Sequence, residues 1–226
     1  MDKSLYNQPL FKKAAGLTLR PGGLEITVKG LEVCAWPENA LVADIGCGVG
    51  AGLKVMKSRG LNPIGLDSCP DSVLEAHGNS GCPTVLGRAE ELPWPDEYLD
   101  GLICECVLSL TDDQPLVLKE FYRVLKAGGK LVVSDISVVS LTTDSSFQSN
   151  TCLQGAIHPD ITLHRLSDAG FTVTVINEYP EALKQLAAQL LWQGSTDLKK
   201  WLGPFCASDK CGVTYSYLQW IGGKSS

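Results

Sequence analysis

The stretch at 40–52, ALVADIGCGVGAG, constrains this chain more than any other. A short apolar run ends in an acid and then meets glycines at 46, 48, 50 and 52. That order predicts a buried strand over 40–45, a tight loop, and a helix over 52–59 stopped by Gly60. Glycine lets the backbone turn sharply and approach a ligand with no Cβ in the way, while the helix start behind it offers free N–H groups. Gly46, Gly48 and Ala51 occupy the three small positions of the dinucleotide-binding fingerprint. Asp67 follows about 20 residues on, where a ribose hydroxyl needs an acceptor. A nucleotide-like cofactor at a strand-to-helix turn is the expectation.

The remaining sequence repeats the same alternation. Strands are expected at 63–67, 84–87, 99–107, 130–136, 171–177 and 213–221, with helices at 70–77, from Asp113 to Gly128-Gly129, and at 160–169. Parallel strands need crossover connections, so this order predicts an α/β fold with a mostly parallel sheet and helices on both faces. Residues 137–158 read as a loop. The length of 226 residues suits a single domain, 1–226, and 44% apolar against 19% charged residues can supply its core. Two stretches stand apart as covers: an N-terminal segment, 1–25, and an insertion at 180–212 that opens with an amphipathic helix and carries Trp201, Phe205, Cys206 and Cys211.

A net charge of −6 supplies no field to collect polyanions, so no nucleic-acid partner is expected and a small-molecule substrate is. No apolar run approaches the roughly 18 residues of a membrane span and no leader-like core begins the chain, which predicts a cytoplasmic protein without a membrane partner. The nine cysteines are scattered and read as thiols; neither they nor His77, His158 and His164 show metal-ligand spacing, so no metal is expected.

The cofactor's identity turns on Asp44, two residues before the first glycine. A pyrophosphate would meet like charge there, whereas an ammonium group would be attracted. S-adenosylmethionine carries both an α-ammonium and a ribose and would use Asp44 and Asp67 together. A nicotinamide-dependent oxidoreductase on the same loop, and a non-catalytic cofactor- or thiol-metal-binding module, are the alternatives.

Asp44–Gly50 as DIGCGVG, Asp67 ending a strand, Ala89-Glu90-Glu91-Leu92-Pro93 before Leu99-Asp100, and Phe121-Tyr122-Arg123-Val124-Leu125-Lys126-Ala127-Gly128-Gly129 together resemble the class I S-adenosylmethionine-dependent methyltransferases over about residues 25–177. The resemblance implies a Rossmann-like, seven-stranded sheet with the last strand antiparallel. It assigns Asp44, Gly46, Cys47, Gly48 and Gly50 to the methionyl part of the cofactor, Asp67 with Ser68 to the ribose, and Ala89 and Glu90 to the adenine border. It places Cys104 and Glu105 beneath the methyl group. Arg88 departs from the family, many of whose members carry an acid there.

Methyl transfer is an in-line displacement, so alignment supplies much of the catalysis, and thiolates or metalloid lone pairs need no dedicated base. Cys104-Glu105-Cys106-Val107-Leu108-Ser109-Leu110 and Cys152-Leu153-Gln154-Gly155-Ala156 are similar to the arsenite-methylating group. That likeness implies a soft acceptor, a metalloid or thiol, held by Cys152 with Cys206 or Cys211, with Cys34 or Cys69 as further upstream candidates. Cys152, Cys206 and Glu105 are the catalytic candidates; for Cys82 and Cys106 core packing is the plainer reading.

Overall fold

The computed structural model describes residues 20–141, 153, 155–192 and 213–225. Seven strands form one sheet, β1 Leu41–Ile45, β2 Asn62–Asp67, β3 Thr84–Leu86, β4 Leu99–Glu105, β5 Leu125–Leu141, β6 Phe171–Glu178 and β7 Val213–Lys224, in the order β3-β2-β1-β4-β5-β7-β6. β1 to β5 pair in parallel, and β7 runs antiparallel between β5 and β6. The helices are α1 Gly23–Cys34, α2 Ala51–Ser58, α3 Pro70–Ser80, α4 Gln114–Val124, α5 Pro159–Asp168 and α6 Pro180–Trp192.

Strand alternation sorts the core into two layers. Ala43, Ile45, Leu102, Cys104, Leu131 and Val133 pack with Val117, Leu118 and Phe121 of α4 and Leu166 of α5. Their neighbours Val42, Ile103 and Val132 face the other way, onto Leu31 and Cys34 of α1, Leu53 and Met56 of α2, and Ala76 of α3. The same alternation turns Cys104 into the first layer and Glu105 under α1.

No local signal marks α1 in the sequence. Ile26, Thr27, Val28, Val33 and Gly30 are poor helix formers, so packing holds it rather than propensity. Gly30 lets the helix settle on the sheet: a Cβ there would stand 3.1 Å from Val132 and 3.2 Å from the Gln219 amide. Three expected boundaries also move. β4 stops at Glu105, not residue 107, because Cys106 takes a left-handed φ of 57°. α4 stops at Val124, short of Gly128, since Leu125 already pairs with Leu99. β5 runs on to Leu141 into the expected loop, and Ser137 bridges Ile157.

Two motifs that lie thirty residues apart in sequence are one structural unit. Arg123 donates to the carbonyls of Leu92 at 3.1 Å and Trp94 at 2.8 Å and pairs with Glu120 and Asp96, while Glu120 accepts from Leu92 N–H at 2.9 Å. The end of α4 thereby pins the ELPW loop against the sheet. No described helix is long and apolar enough to cross a membrane.

Candidate cofactor site

The glycine loop joins β1 to α2 at the C-terminal edge of the sheet. Gly46, Gly48 and Gly50 all take positive φ, 73°, 53° and 83°. Their surroundings differ. A Cβ on Gly46 would strike Val107 and one on Gly50 would meet the Ala76 backbone at 2.9 Å, whereas at Gly48 nothing lies within 4 Å. Gly46 and Gly50 are closed by the fold, and Gly48 opens onto free space. Gly50 also caps α2 without any side-chain acceptor, which leaves the first-turn N–H groups without a side-chain cap.

Asp67 supports this loop as well as facing its mouth. Its Oδ2 accepts from Gly48 N–H at 3.0 Å and its Oδ1 from Cys69 N–H at 2.9 Å, so the carboxylate is fixed in orientation with lone pairs to spare. Ser68 is exposed beside it. Cys47 sits within the loop, but its side chain turns inward: it is 7% exposed, belongs to the α2 layer, and its Sγ would stand 2.7 Å from a Cβ on Gly65. Cys47 therefore offers a ligand its backbone only. Burial pushes its thiol up, as it does those of Cys104 and, to about 12, Cys34. These three are protonated at neutral pH and unsuited to nucleophilic work.

Behind the loop lies a cluster that the sequence did not announce. Asp44 is 3% exposed and Glu105 6%. Arg20, just before α1, reaches in and pairs with Glu105 Oε2 at 3.0 Å, donates to Thr27 Oγ1 at 2.7 Å, and donates from Nε to the Gly23 carbonyl at 3.3 Å. Thr27 Oγ1 donates in turn to Glu105 Oε2 at 2.8 Å. Burial opposes the Arg20 charge, and Glu105 and Asp44 more than restore it. Burial also pushes the Asp44 carboxyl up to about 7; Arg20 pulls it down, and Glu105 and Asp67 push it further up. Glu105 Oε1 is buried with no hydrogen-bond partner. Among the described residues one cation thus faces two buried carboxylates, and an incoming positive group would relieve the imbalance.

Of the other expected residues, Ala89 is buried at the rim of the first layer and Glu90, half-buried, pairs with Arg88 at 3.0 Å. Arg88 also faces Asp112 at 3.6 Å. Cys104 is completely buried among apolar side chains, so it stands in the core while its neighbour Glu105 faces Arg20. Cys106 is half-buried and its thiol donates to the Tyr217 hydroxyl at 3.4 Å. Cys152, Cys206 and Cys211 lie outside the described residues, as does most of the N-terminal cover. At Gly22, a Cβ would stand 3.6 Å from that of Ala182, so the start of α1 meets α6. Among the described residues no cluster of metal-ligating side chains occurs.

The residues fit S-adenosylmethionine. Nothing lies within 4 Å of a Cβ at Gly48, Asp44 and Glu105 Oε1 are buried carboxylate positions that suit a cationic group, and Asp67 keeps lone pairs that suit hydroxyl donors.

Comparison with known proteins agrees. A methyltransferase-domain family model matches residues 43–133. The chain is 24% identical over 196 residues to phosphoethanolamine N-methyltransferase 1 of Arabidopsis thaliana, covering 83% of this chain and 40% of that protein. It is 27% identical over 149 residues to the arsenite methyltransferase of Halobacterium salinarum, covering 62% and 37%. The chain thus spans about two fifths of the length of these curated relatives. Among solved structures, the phosphoethanolamine N-methyltransferase 2 of Haemonchus contortus, in complex with S-adenosyl-L-methionine, superposes with a TM-score of 0.80 at 16% identity, covering 96% of this chain and 56% of that one. The [4+2]-cyclase SpnF superposes at 0.81 with 19% identity, covering 98% and 93%, so the architecture alone does not fix the reaction. With its glycine loop and sheet order on one side and the domain match on the other, the chain carries a match to a methyltransferase domain over residues 43–133 within a sheet of the architecture these neighbours share.

Proposed function

We propose that this protein binds S-adenosylmethionine across the C-terminal edges of β1, β2 and β4 and moves its methyl group to a small-molecule acceptor. The observation that carries this reading is the buried, under-neutralised carboxylate of Asp44 beside the open position at Gly48. Asp44 holds the ammonium, Asp67 the ribose hydroxyls, and Ala89 and Glu90 border the adenine. The cofactor supplies an activated methyl carbon on a sulfonium; the protein's task is to align a nucleophile opposite that carbon and to keep water out.

A soft acceptor, an arsenite-like metalloid or a thiol, is the preferred class. Its support is the arsenite methyltransferase among the relatives, the placement in sequence of Cys152, Cys206 and Cys211, and the employment of the described histidines elsewhere. His77 Nδ1 bonds the Cys82 carbonyl, His158 caps α5, and His164 is exposed on that helix. Such an acceptor would bring a sulfur or arsenic lone pair to the methyl carbon, the bonding pair to that carbon would stay with the cofactor's sulfur, and no proton would need to leave a nitrogen or oxygen. The cover segment 1–25 and the insertion 180–212 would enclose the acceptor.

The test incubates the protein and a methyl-labelled cofactor with arsenite plus thiol, with simple thiols, and with catechol and amine panels, for wild type, Cys152→Ser and Cys206→Ser. Turnover of arsenite that either serine variant loses is expected. Equal arsenite turnover by all three removes the metalloid reading, and absence of S-adenosylhomocysteine binding in calorimetry removes the methyltransferase reading.

A further inference from the structure

We propose that Gln114 and Arg165 are positioning residues for methyl transfer. Arg165 polarises the Gln114 amide, and the amide seats the backbone of segment 153–157 against the turn that follows β4, holding that segment as a wall of the acceptor site. This rests on the methyl-transfer reading above and gives a role to two side chains that no motif carries.

Three observations lead to it. First, both ends of one buried amide are in use. Gln114 opens α4, is 7% exposed, accepts at Oε1 from Arg165 Nη1 of α5 at 2.6 Å, and donates from Nε2 to the Gly155 carbonyl at 3.1 Å. A permanently charged donor on the amide oxygen strengthens what the amide nitrogen donates. Second, Gly155 is closed by the neighbour it rests on. A Cβ there would overlap the Ser109 carbonyl, and Asp135 in turn fixes Ser109 at its N–H and its Oγ. The glycine of the Cys152-Leu153-Gln154-Gly155-Ala156 stretch thus serves close approach. Past it, the Ile157 carbonyl accepts from Val138 N–H at 3.1 Å, and Ala156 N–H reaches the carbonyl of buried Leu153 at 3.4 Å.

Third, the turn beneath also touches the glycine loop. Val107 is the side chain that a Cβ on Gly46 would strike, and Ser109, two residues on, carries Gly155. The turn after β4 therefore links the loop assigned to the methyl donor with segment 153–157. Cys152, the candidate for holding the acceptor, directly precedes Leu153 in sequence. An in-line displacement loses rate steeply when one partner is misplaced, about 100-fold for 1 Å. Unseating this segment should therefore slow transfer while leaving cofactor binding alone.

The experiment compares the full chain as wild type, Gln114→Glu and Arg165→Met. Gln114→Glu keeps an acceptor for Arg165 and suits the N-terminus of α4, yet has no proton to donate to Gly155. Arg165→Met keeps that donor and removes its charged partner, and it carries the test if the first variant does not fold. Thermal melts, S-adenosylhomocysteine calorimetry, methyl transfer to arsenite with glutathione, and hydrogen exchange at the Val138 and Ala156 amides by NMR are measured on each. Gln114→Glu should melt within about 4 °C of wild type and bind S-adenosylhomocysteine within about twofold. Its kcat should fall about 10- to 100-fold with KM for S-adenosylmethionine unchanged, while both amides exchange about tenfold faster. Arg165→Met should move kcat the same way by about threefold. A purely structural pair would lower the melting temperature and leave the kcat of folded protein unchanged. That result, or wild-type exchange at both amides in Gln114→Glu, overturns the proposal. Wild type that binds S-adenosylhomocysteine yet methylates no arsenite, thiol, catechol or amine overturns the methyl-transfer reading instead, and the exchange rates still decide whether Gln114 seats the segment.

Discussion

Asp44 and Asp135 end neighbouring regions of the same sheet edge, both buried, and the protein treats them in opposite ways. Asp135, 5% exposed on β5, accepts from Ser109 N–H at 2.8 Å, from Ser109 Oγ at 2.7 Å and from Ile136 N–H at 2.7 Å. Burial lifts its carboxyl to about 6 while the Ser109 contacts hold it down. Asp44 has Arg20 nearby as a source of positive charge and rises to about 7. On the β5 side the fold satisfies its own carboxylate and uses it to fix the turn at Leu108–Leu110. On the β1 side it leaves one open. A buried charge left short of partners lowers stability unless a ligand completes it, and on the proposed reading Asp135 is the structural acid and Asp44 the binding one.

That contrast can be broken by experiment. The largest expected effect is at Asp44: Asp44→Asn should weaken S-adenosylhomocysteine binding about 100-fold, the upper range of a charge-assisted hydrogen bond, without lowering the melting temperature. Calorimetry and a thermal melt read both quantities; a drop in stability together with intact binding would reverse the two roles. Next comes Asp135→Ala, which strands three donors and should cost about 2–3 kcal/mol in denaturant unfolding, with cofactor affinity within about twofold.

A pH series sharpens the same comparison. Both carboxyl groups sit higher in the folded chain than in the unfolded one, so the folded state binds their protons more tightly. Their contribution to the stability of the free protein is therefore fully present below about pH 4 and is lost as pH rises to about 7. Binding has the opposite sign, because an ammonium wants Asp44 ionised. Affinity should fall about fivefold between pH 7 and pH 6 and be flat just above pH 8, and Asp44→Asn should abolish the slope. The smallest effect on folding is expected at Gly48→Ala: with nothing within 4 Å the cost comes from a φ of 53° alone, about 1 kcal/mol in a denaturant melt. Cofactor affinity should nevertheless fall, since the new methyl enters the space reserved for it.

Much of the cofactor half was legible because its signals are local. Positive φ at Gly46, Gly48 and Gly50 needs glycine, and an acid at the end of β2 needs only to reach back to Gly48 N–H, nineteen residues away. Helix α4 announced itself through Asp113, whose Oδ1 accepts from Leu116 N–H at 2.9 Å, and Pro115 in its first turn. The Arg20 cluster gave no such signal: Thr27 and Glu105 are 78 residues apart, and nothing in either neighbourhood names the other. Cys104 shows the same limit from the other direction. A one-residue step along β4 decides which side chain enters the core, and the motif as a string could not divide the roles of Cys104 and Glu105.

Chain order alone determined the strand-to-helix alternation, the glycine turn and the acids at the two strand ends, because each follows from backbone preference or side-chain chemistry within a few residues. Tertiary structure alone decided that a stretch of weak helix formers becomes α1, since the energy comes from Gly30 settling on Val132 and Gln219. Once that helix is docked, Arg20 is carried to Asp44 and Glu105, and the balance of buried charge behind the glycine loop is set by a residue outside every motif.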